Sequence, residues 1–230
     1  VSRDMKAGQA FTRTLREQGI KISKNPEVVI VIGGDGTLLH SELIFPGVLK
    51  VFIKHDKECK SCYKHNFSRI ALMLKKGKFK VLRLDKLEAI VNGNKARRLV
   101  GMNDINVHYT PPRALRFSCN VNGENSGEII GDGIVIATPW GSTAYFSSIT
   151  RKKFSRGIGI AFNNPQRKMR PRNAGKNSNI KVKILRGPGI LASDCNRRLI
   201  KLKDGDIIDI RLSKDKASVV KFNGRLRNSF

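Results

Sequence analysis

The feature that most constrains this chain is the run Val28-Val29-Ile30-Val31-Ile32, which passes without a break into Gly33-Gly34-Asp35-Gly36-Thr37. A short unbroken β-branched run marks a strand buried on both faces, as in a parallel sheet. Residues 38–43 then read as helical. Upstream, Met5, Ala7, Ala10, Phe11, Thr14 and Leu15 fall on one face of a helix over 4–18, which Gly19 stops. Helix, strand, glycine turn, helix is the grammar of an open α/β sheet.

From about residue 79 the pattern changes to alternation. Residues 79–84 and 87–91 read as strands, and Asn92-Gly93 reads as a hairpin turn into 95–100. Further strand-like pieces lie at 104–109, 114–121, 128–137, 180–185, 207–212 and 218–222. Asn122-Gly123 and Asp204-Gly205 are additional turn signals, and 163–179 reads as a loop. The expected fold class is α+β: an α/β Rossmann-like domain over 1–78, then a β-rich nucleotide-binding domain over 79–204. The tail from about 205 to 230 is expected to return to the first domain, and the active cleft to lie between the two.

The glycine turn can present backbone N–H groups to a phosphate beside a helix N-terminus. A turn built only to hold phosphate would not place a carboxylate at its centre, because like charges repel. Asp35 therefore suits a different role, that of accepting the proton of a hydroxyl as its oxygen attacks phosphorus. An Asp-Gly turn that merely holds backbone is the bland alternative. A second candidate site runs from Gly131-Asp132-Gly133 through Ile134–Ala137 into Thr138-Pro139-Trp140-Gly141-Ser142-Thr143-Ala144-Tyr145. Small and hydroxylated residues there let a ligand approach the backbone; the plain alternative is a turn into a helix capped by Ser142 or Thr143. The third is Asn103-Asp104 at a strand entry, where Asn can read a base edge and Asp can accept from ribose hydroxyls.

Together these runs resemble the NAD kinase family: GGDGT at 33–37, Asn-Asp at 103–104 and DGIVIATPWGSTAY at 132–145, in the family's order. A weaker similarity continues through Ala192-Ser193-Asp194 and 202–206. Lipid kinases of the diacylglycerol and sphingosine type share GGDGT but not the later motifs. The resemblance implies transfer of the terminal phosphate of ATP or polyphosphate, with Mg²⁺ or another divalent cation, to the 2′-hydroxyl of the adenosine ribose of NAD, giving NADP. It implies Asp35 as general base and Gly34, Gly36 and Thr37 as the phosphate turn. Asn103 and Asp104 would hold NAD, and Thr143, Ala144 and Tyr145 would line its pocket. Asp132 would lie beside a dinucleotide bound across a subunit contact, which implies a homo-oligomer. The chain departs from the family at Trp140, where a small residue is usual. It also reads Ile149-Thr150-Arg151-Lys152-Lys153 where Gly-Gly-Pro is common, and 50–66 replaces the usual glycine loop.

That replacement contains His55, Cys59, Cys62 and His65, which could bind zinc, although four ligands within eleven residues are tight for a tetrahedral site. The alternative is a reduced surface loop. Cys119 and Cys195 are expected to pack, and four cysteines do not make a disulfide scaffold. The 45 Lys plus Arg against 18 Asp plus Glu give a net charge of +27. This favours phosphate-bearing ligands and allows non-specific nucleic-acid binding. Two rival functions follow: another GGDGT-type kinase acting on a lipid or nucleoside, and a non-catalytic nucleic-acid-binding protein. No apolar run reaches the roughly 18 residues of a membrane helix, and residues 1–19 carry charges throughout. A cytoplasmic location without membrane partners is expected.

Overall fold

The computed structural model describes residues 1–54, 66–194 and 196–222. His55, Cys59, Cys62, His65 and Cys195 lie outside the described residues. The chain divides into two units, Val1–Leu84 with Lys216–Phe230, and Asp85–Asp215. Its class is α+β, with an N-terminal α/β part followed by a β-rich part. Among the described residues no helix is long and apolar enough to cross a membrane.

The first unit contains α1 (Met5–Glu17), β1 (Val28–Gly33), α2 (Asp35–Ile44), β2 (Leu49–Lys54) and α3 (Phe67–Lys75). The unbroken apolar run forms β1, which pairs in parallel with β2 from Val28–Leu49 to Gly33–Lys54. Ser218 and Val219 lie parallel to Leu49 and Lys50 on the other side of β2. Ile32 packs with Val51, Ile53, Phe11, Leu15, Ile70, Ala71, Val220 and Phe222 in one core. The Phe11 and Phe67 rings stack at 4.6 Å between centroids, joining α1 to α3. The α1 stripe is narrower than its periodicity suggests. Phe11 and Leu15 are its buried residues, and Met5 stands in solvent. Asp4 caps the helix by accepting from the Ala7 N–H, and Gly19 follows it at φ +73°.

The connection from α2 to β2 is built around a buried ion pair between Glu42 and Lys50. Lys50 Nζ also donates to the carbonyls of Phe45 and Val48, both at 2.7 Å. Glu42 Oε1 accepts from the Gly47 N–H at 3.0 Å. The two charged side chains thus satisfy the turn that ends the helix, and the ammonium is buried against that connection.

The second unit is a β-sandwich. Its strands are the part of β3 (Phe79–Val91) from Asp85, β4 (Asn94–Gly101), β5 (Asp104–Tyr109), β6 (Leu115–Val121), β7 (Glu124–Gly131), β8 (Gly133–Ala137), β9 (Ile158–Asn163), β10 (Arg172–Ala174), β11 (Ile180–Arg186), β12 (Gly189–Ser193), β13 (Ile200–Leu202) and the first part of β14 (Ile207–Phe222). One helix, α4 (Tyr145–Thr150), interrupts them. One sheet has the order β10-β9-β8-β5-β12-β13 and is antiparallel throughout. The other runs β14-β11-β6-β7, also antiparallel, and β3 pairs with β4 as a hairpin. Ile105, Val107, Ile134, Ile136, Ile158 and Ile160 from the first sheet share one core with Leu115, Phe117, Cys119, Ile129, Val182 and Ile184 from the second.

Several sequence expectations change here. The piece at 128–137 is two strands broken at Asp132, and 207–212 with 218–222 is one strand, β14. The stretch 163–179 holds the short β10. Strands β2, β9, β12 and β13 and helix α3 have no counterpart in the sequence-based expectation.

Replacing Glu42 by Gln removes the carboxylate that neutralises the buried Lys50. Breaking a buried pair from one side typically costs about 3–5 kcal/mol. Urea unfolding of Glu42→Gln is expected to show a loss of that order, largely recovered in Glu42→Gln/Lys50→Met. A wild-type midpoint in the single variant would show that the pair does not hold this turn.

Candidate active site

In the first unit, the GGDGT turn is shaped by one close approach. Gly33 sits at φ +152°, and a Cβ there would overlap the Thr37 side chain. Gly34 precedes α2 in an extended conformation, and its carbonyl accepts from the N–H groups of Thr37 (2.9 Å) and Leu38 (3.3 Å). Asp35 is therefore the first residue of α2, and both it and Gly36 are exposed. Thr37 Oγ1 is buried and has no hydrogen-bond partner among the described residues. A buried hydroxyl without a partner at the positive end of a helix dipole suits an anionic ligand.

In the second unit, the Asn103-Asp104 pair is held from two sides. On the amide side, the Asp194 carboxylate accepts from three consecutive backbone N–H groups, those of Met102, Asn103 and Asp104, at 2.5, 2.7 and 3.1 Å. On the carbonyl side, the Thr138 N–H donates to Asn103 O at 2.8 Å, and Thr138 Oγ1 donates to Met102 O at 2.7 Å. Thr138 Oγ1 also accepts from the Gly141 N–H at 3.0 Å. Gly141 lies directly against the Asn103 backbone, where any Cβ would collide. The structure thus joins Asn103-Asp104 to the 138–145 turn. That turn is a short 3₁₀ helix, Gly141–Thr143, followed by α4. Neither hydroxyl caps α4: Ser142 Oγ donates to Phe154 O and Thr143 Oγ1 to Trp140 O, while Ala144 occupies the cap position without a side-chain bond. The capping alternative for Ser142 and Thr143 is corrected accordingly. Thr143 is exposed, and Trp140 and Ala144 are half-buried.

Strand β5 continues the site. Ile105 and Val107 point into the sandwich core, so Asp104, Asn106 and His108 share the opposite face. They pair in register with Ala137, Val135 and Gly133 of β8. On that same face Val135 and Ala137 pack against Phe146 of α4. Asn106 Nδ2 donates to Asp104 Oδ1 at 2.7 Å. Tyr145 Oη lies 3.1 Å from His108 Nε2 and accepts from Asn163 Nδ2 at 2.9 Å. Asp132 Oδ2 accepts from Asn164 Nδ2 at 3.2 Å. The flanking glycines follow from tight packing. A Cβ on Gly133 would meet Val107 O, and one on Gly131 would meet the Asn163 and Asn164 carbonyls.

Burial, and secondarily the charge of Asp194, raise the Asp104 carboxyl to about 7. Burial also raises Asp194, against its three backbone donors. Burial lowers His108 while Asp132 opposes the shift, and burial with Asp132 and Asp104 raises Tyr145. The side-chain oxygens of Asn103 and Asn106 are buried without hydrogen-bond partners among the described residues. With the Asp104 carboxylate they form a cluster of acceptors, which matches a ligand rich in donors: ribose hydroxyls, an exocyclic amine, a carboxamide. Among the described residues no group of three or more His, Cys, Asp or Glu could hold a metal ion.

Of the residues singled out from sequence, Asn103, Asp104, Asp132, Thr143, Ala144 and Tyr145 fall in the second unit, and Gly34, Asp35, Gly36 and Thr37 in the first. Asn106, His108 and Asn163 escape the sequence reading, which also leaves Asp194 without a role. The alternation Asp104-Asn106-His108 within an otherwise apolar strand was the available signal.

An α/β unit with a glycine-rich strand-to-helix turn, followed by a β-sandwich, defines the structural class. Residues 102–222 match the ATP-NAD kinase C-terminal domain family, and the chain belongs to the NAD kinase family. It is 34% identical over 160 residues to the NAD kinase of Sulfurisphaera tokodaii, covering 67% of this chain and 63% of that protein. It is 29% identical over 214 residues to the NAD kinase of Thermoplasma volcanium, covering 85% and 74%. The fold is that of an NAD kinase from Archaeoglobus fulgidus solved in complex with ATP, with a TM-score of 0.80, 18% identity and coverage of 100% of this chain and 95% of that one. It also matches yeast NADH kinase complexed with NADH, with a TM-score of 0.76, 21% identity and coverage of 87% and 64%.

The raised Asp104 carboxyl carries a stability consequence. Unfolded, the group titrates near 3.8, and folded near 7. Between these values the folded chain keeps a proton that the unfolded chain has released, so stability falls as pH rises through that window. Asp104→Asn is expected to raise the free energy of unfolding at pH 8, by an amount on the order of 1 kcal/mol. The gain should vanish near pH 4. An equal effect at both pH values would show that the carboxyl is not raised by its surroundings.

Proposed function

We propose that this chain phosphorylates the 2′-hydroxyl of the adenosine ribose of NAD, giving NADP, with ATP or polyphosphate as donor. The observation that carries this reading is the acceptor cluster of Asn103, Asp104 and Asn106, joined to the 138–145 turn in a chain of the NAD kinase family. The names of the relatives and the nucleotides in the two solved neighbours support it.

Asp35 is the general base. It takes the proton of the ribose hydroxyl as that oxygen attacks the terminal phosphorus, and the donor's bridging oxygen leaves with the remaining phosphates. The phosphates lie at the α2 N-terminus, where Gly34 and Gly36 permit close approach and Thr37 Oγ1 supplies a donor. Asn103 and Asp104 hold the nucleoside, and Thr143, Ala144 and Tyr145 line its pocket. A divalent cation supplies charge neutralisation on the phosphates. Asp132 beside the dinucleotide, a homo-oligomer and a cytoplasmic location complete the reading.

The decisive assay is purified protein with NAD, Mg²⁺ and either ATP or polyphosphate, followed by detection of NADP. Asp35→Asn is expected to lower turnover by about 10²–10⁴ while calorimetry shows unchanged NAD affinity. Wild-type turnover in that variant would remove Asp35 from its role. Trp140 is the single tryptophan, so its emission is expected to change saturably as NAD is added. A silent titration, with NAD bound by calorimetry, would put the ring away from the ligand.

A further inference from the structure

The Tyr145 hydroxyl has one hydrogen and two lone pairs. The Asn163 amide nitrogen donates to it at 2.9 Å. That uses one lone pair. The remaining contact, 3.1 Å to His108 Nε2, then has a fixed sense when the imidazole is neutral: the hydroxyl donates and Nε2 accepts. The His108 and Tyr145 rings are parallel within 3° at 5.8 Å between centroids. His108 is set in β5 against Gly133, whose missing Cβ allows the strands to meet there. Tyr145 opens α4, and Asn163 ends β9.

We infer that His108 and Asn163 are positioning residues that fix the Tyr145 hydroxyl as an acceptor toward the ligand, so that a bound dinucleotide must set a donor against it: a ribose hydroxyl, an exocyclic amine or a carboxamide N–H. The inference rests on the reading that Tyr145 lines the NAD pocket, and it gives that residue a polarity. It matches the neighbouring Asn103 and Asn106 oxygens, which are buried acceptors.

Protonation reverses the device. An imidazolium donates from Nε2, so the hydroxyl hydrogen turns outward and Tyr145 becomes a donor. The charged and titratable groups around His108 are Asp132 between β7 and β8, Tyr145 on α4 and, farther along β5, Asp104. Burial holds His108 below the usual imidazole range, and Asp132 opposes this. The apparent KM for NAD is therefore expected to rise as pH falls through the His108 titration. Asp104 contributes a separate limb at higher pH, which substitution of His108 leaves in place.

The direct test needs no substrate. Long-range proton–nitrogen NMR of imidazole-labelled protein above the His108 titration is expected to show the Nδ1–H tautomer, with Nε2 unprotonated; His108→Gln assigns the signal by its loss. Asn163→Asp turns the donor into an acceptor, draws the hydroxyl hydrogen away and is expected to return His108 to the Nε2–H tautomer. In kinetics, His108→Phe keeps the ring and removes the acceptor, and should raise the KM for NAD roughly 5–10-fold, with kcat and the KM for ATP near wild type. His108→Gln supplies an amide oxygen, and should restore the KM while removing the low-pH limb. An Nε2–H tautomer in the wild type, or a His108→Phe variant with unchanged KM for NAD, overturns the inference. If the tautomer is as stated but Tyr145→Phe binds NAD normally, the fixed hydroxyl stands and the assignment of Tyr145 to the NAD pocket falls.

Discussion

The second unit depends on a carboxylate that faces backbone instead of a base. Asp194 takes three successive amide hydrogens from Met102, Asn103 and Asp104, while Thr138 occupies the carbonyls of Met102 and Asn103 from the other side. Buried polar groups are costly unless paired, and here a turn with awkwardly placed amides is satisfied by a single side chain. With both edges of the backbone engaged, the side chains of Asn103 and Asp104 are left for other work. The strain visible nearby agrees with this. Asp194 adopts φ +43°, and Gly101 is required where a Cβ would strike the Asp104 carbonyl. Asp104 is then buried and within the field of Asp194, and its raised carboxyl is the cost of that burial first and of the neighbouring charge second.

Glycines in this molecule mark where chain segments touch. Gly133, Gly131 and Gly141 each lie against the carbonyl of a neighbouring segment that a side chain would displace. The residues they bring together are Asp132, His108, Asn163, Asn103 and the 138–145 turn. In the first unit Gly33 does the same for Thr37. The motif glycines are therefore read as packing constraints first, and the access they give a ligand follows from the same absence of side chain.

The strand ending in GGDGT was legible because five β-branched residues in succession have few other uses, and the hairpins were legible from Asn-Gly pairs whose asparagines adopt positive φ. Motif adjacency to strands was also readable, including the entry of Asn103-Asp104 into β5. What remained hidden has physical causes. Strand β2 was obscured by Lys50, whose burial depends on Glu42 and could not be foreseen locally. Strands β12 and β13 are short and flanked by glycine, proline and charge, so the pairing of β12 with β5 and of β13 with β12 is decided by the sheet and not by their own pattern. The partners of Tyr145 come from β5 and β9, 37 and 18 residues away in sequence. No motif spacing reports such a meeting.

The order of the chain through its two units also sets the order in which they can be completed. The second unit is one continuous segment, Asp85–Asp215, whereas the first is made from both ends of the chain. Val220 and Phe222 belong to the first unit's core, and residues 218–219 form the strand beside β2. During synthesis, domains generally fold as units in the order in which they emerge. Here residues 1–84 must wait, with the apolar faces of α1, β1 and β2 only partly covered, until residues 216–222 arrive. The sandwich has by then all of its own strands, so it is the scaffold already standing when the GGDGT unit closes.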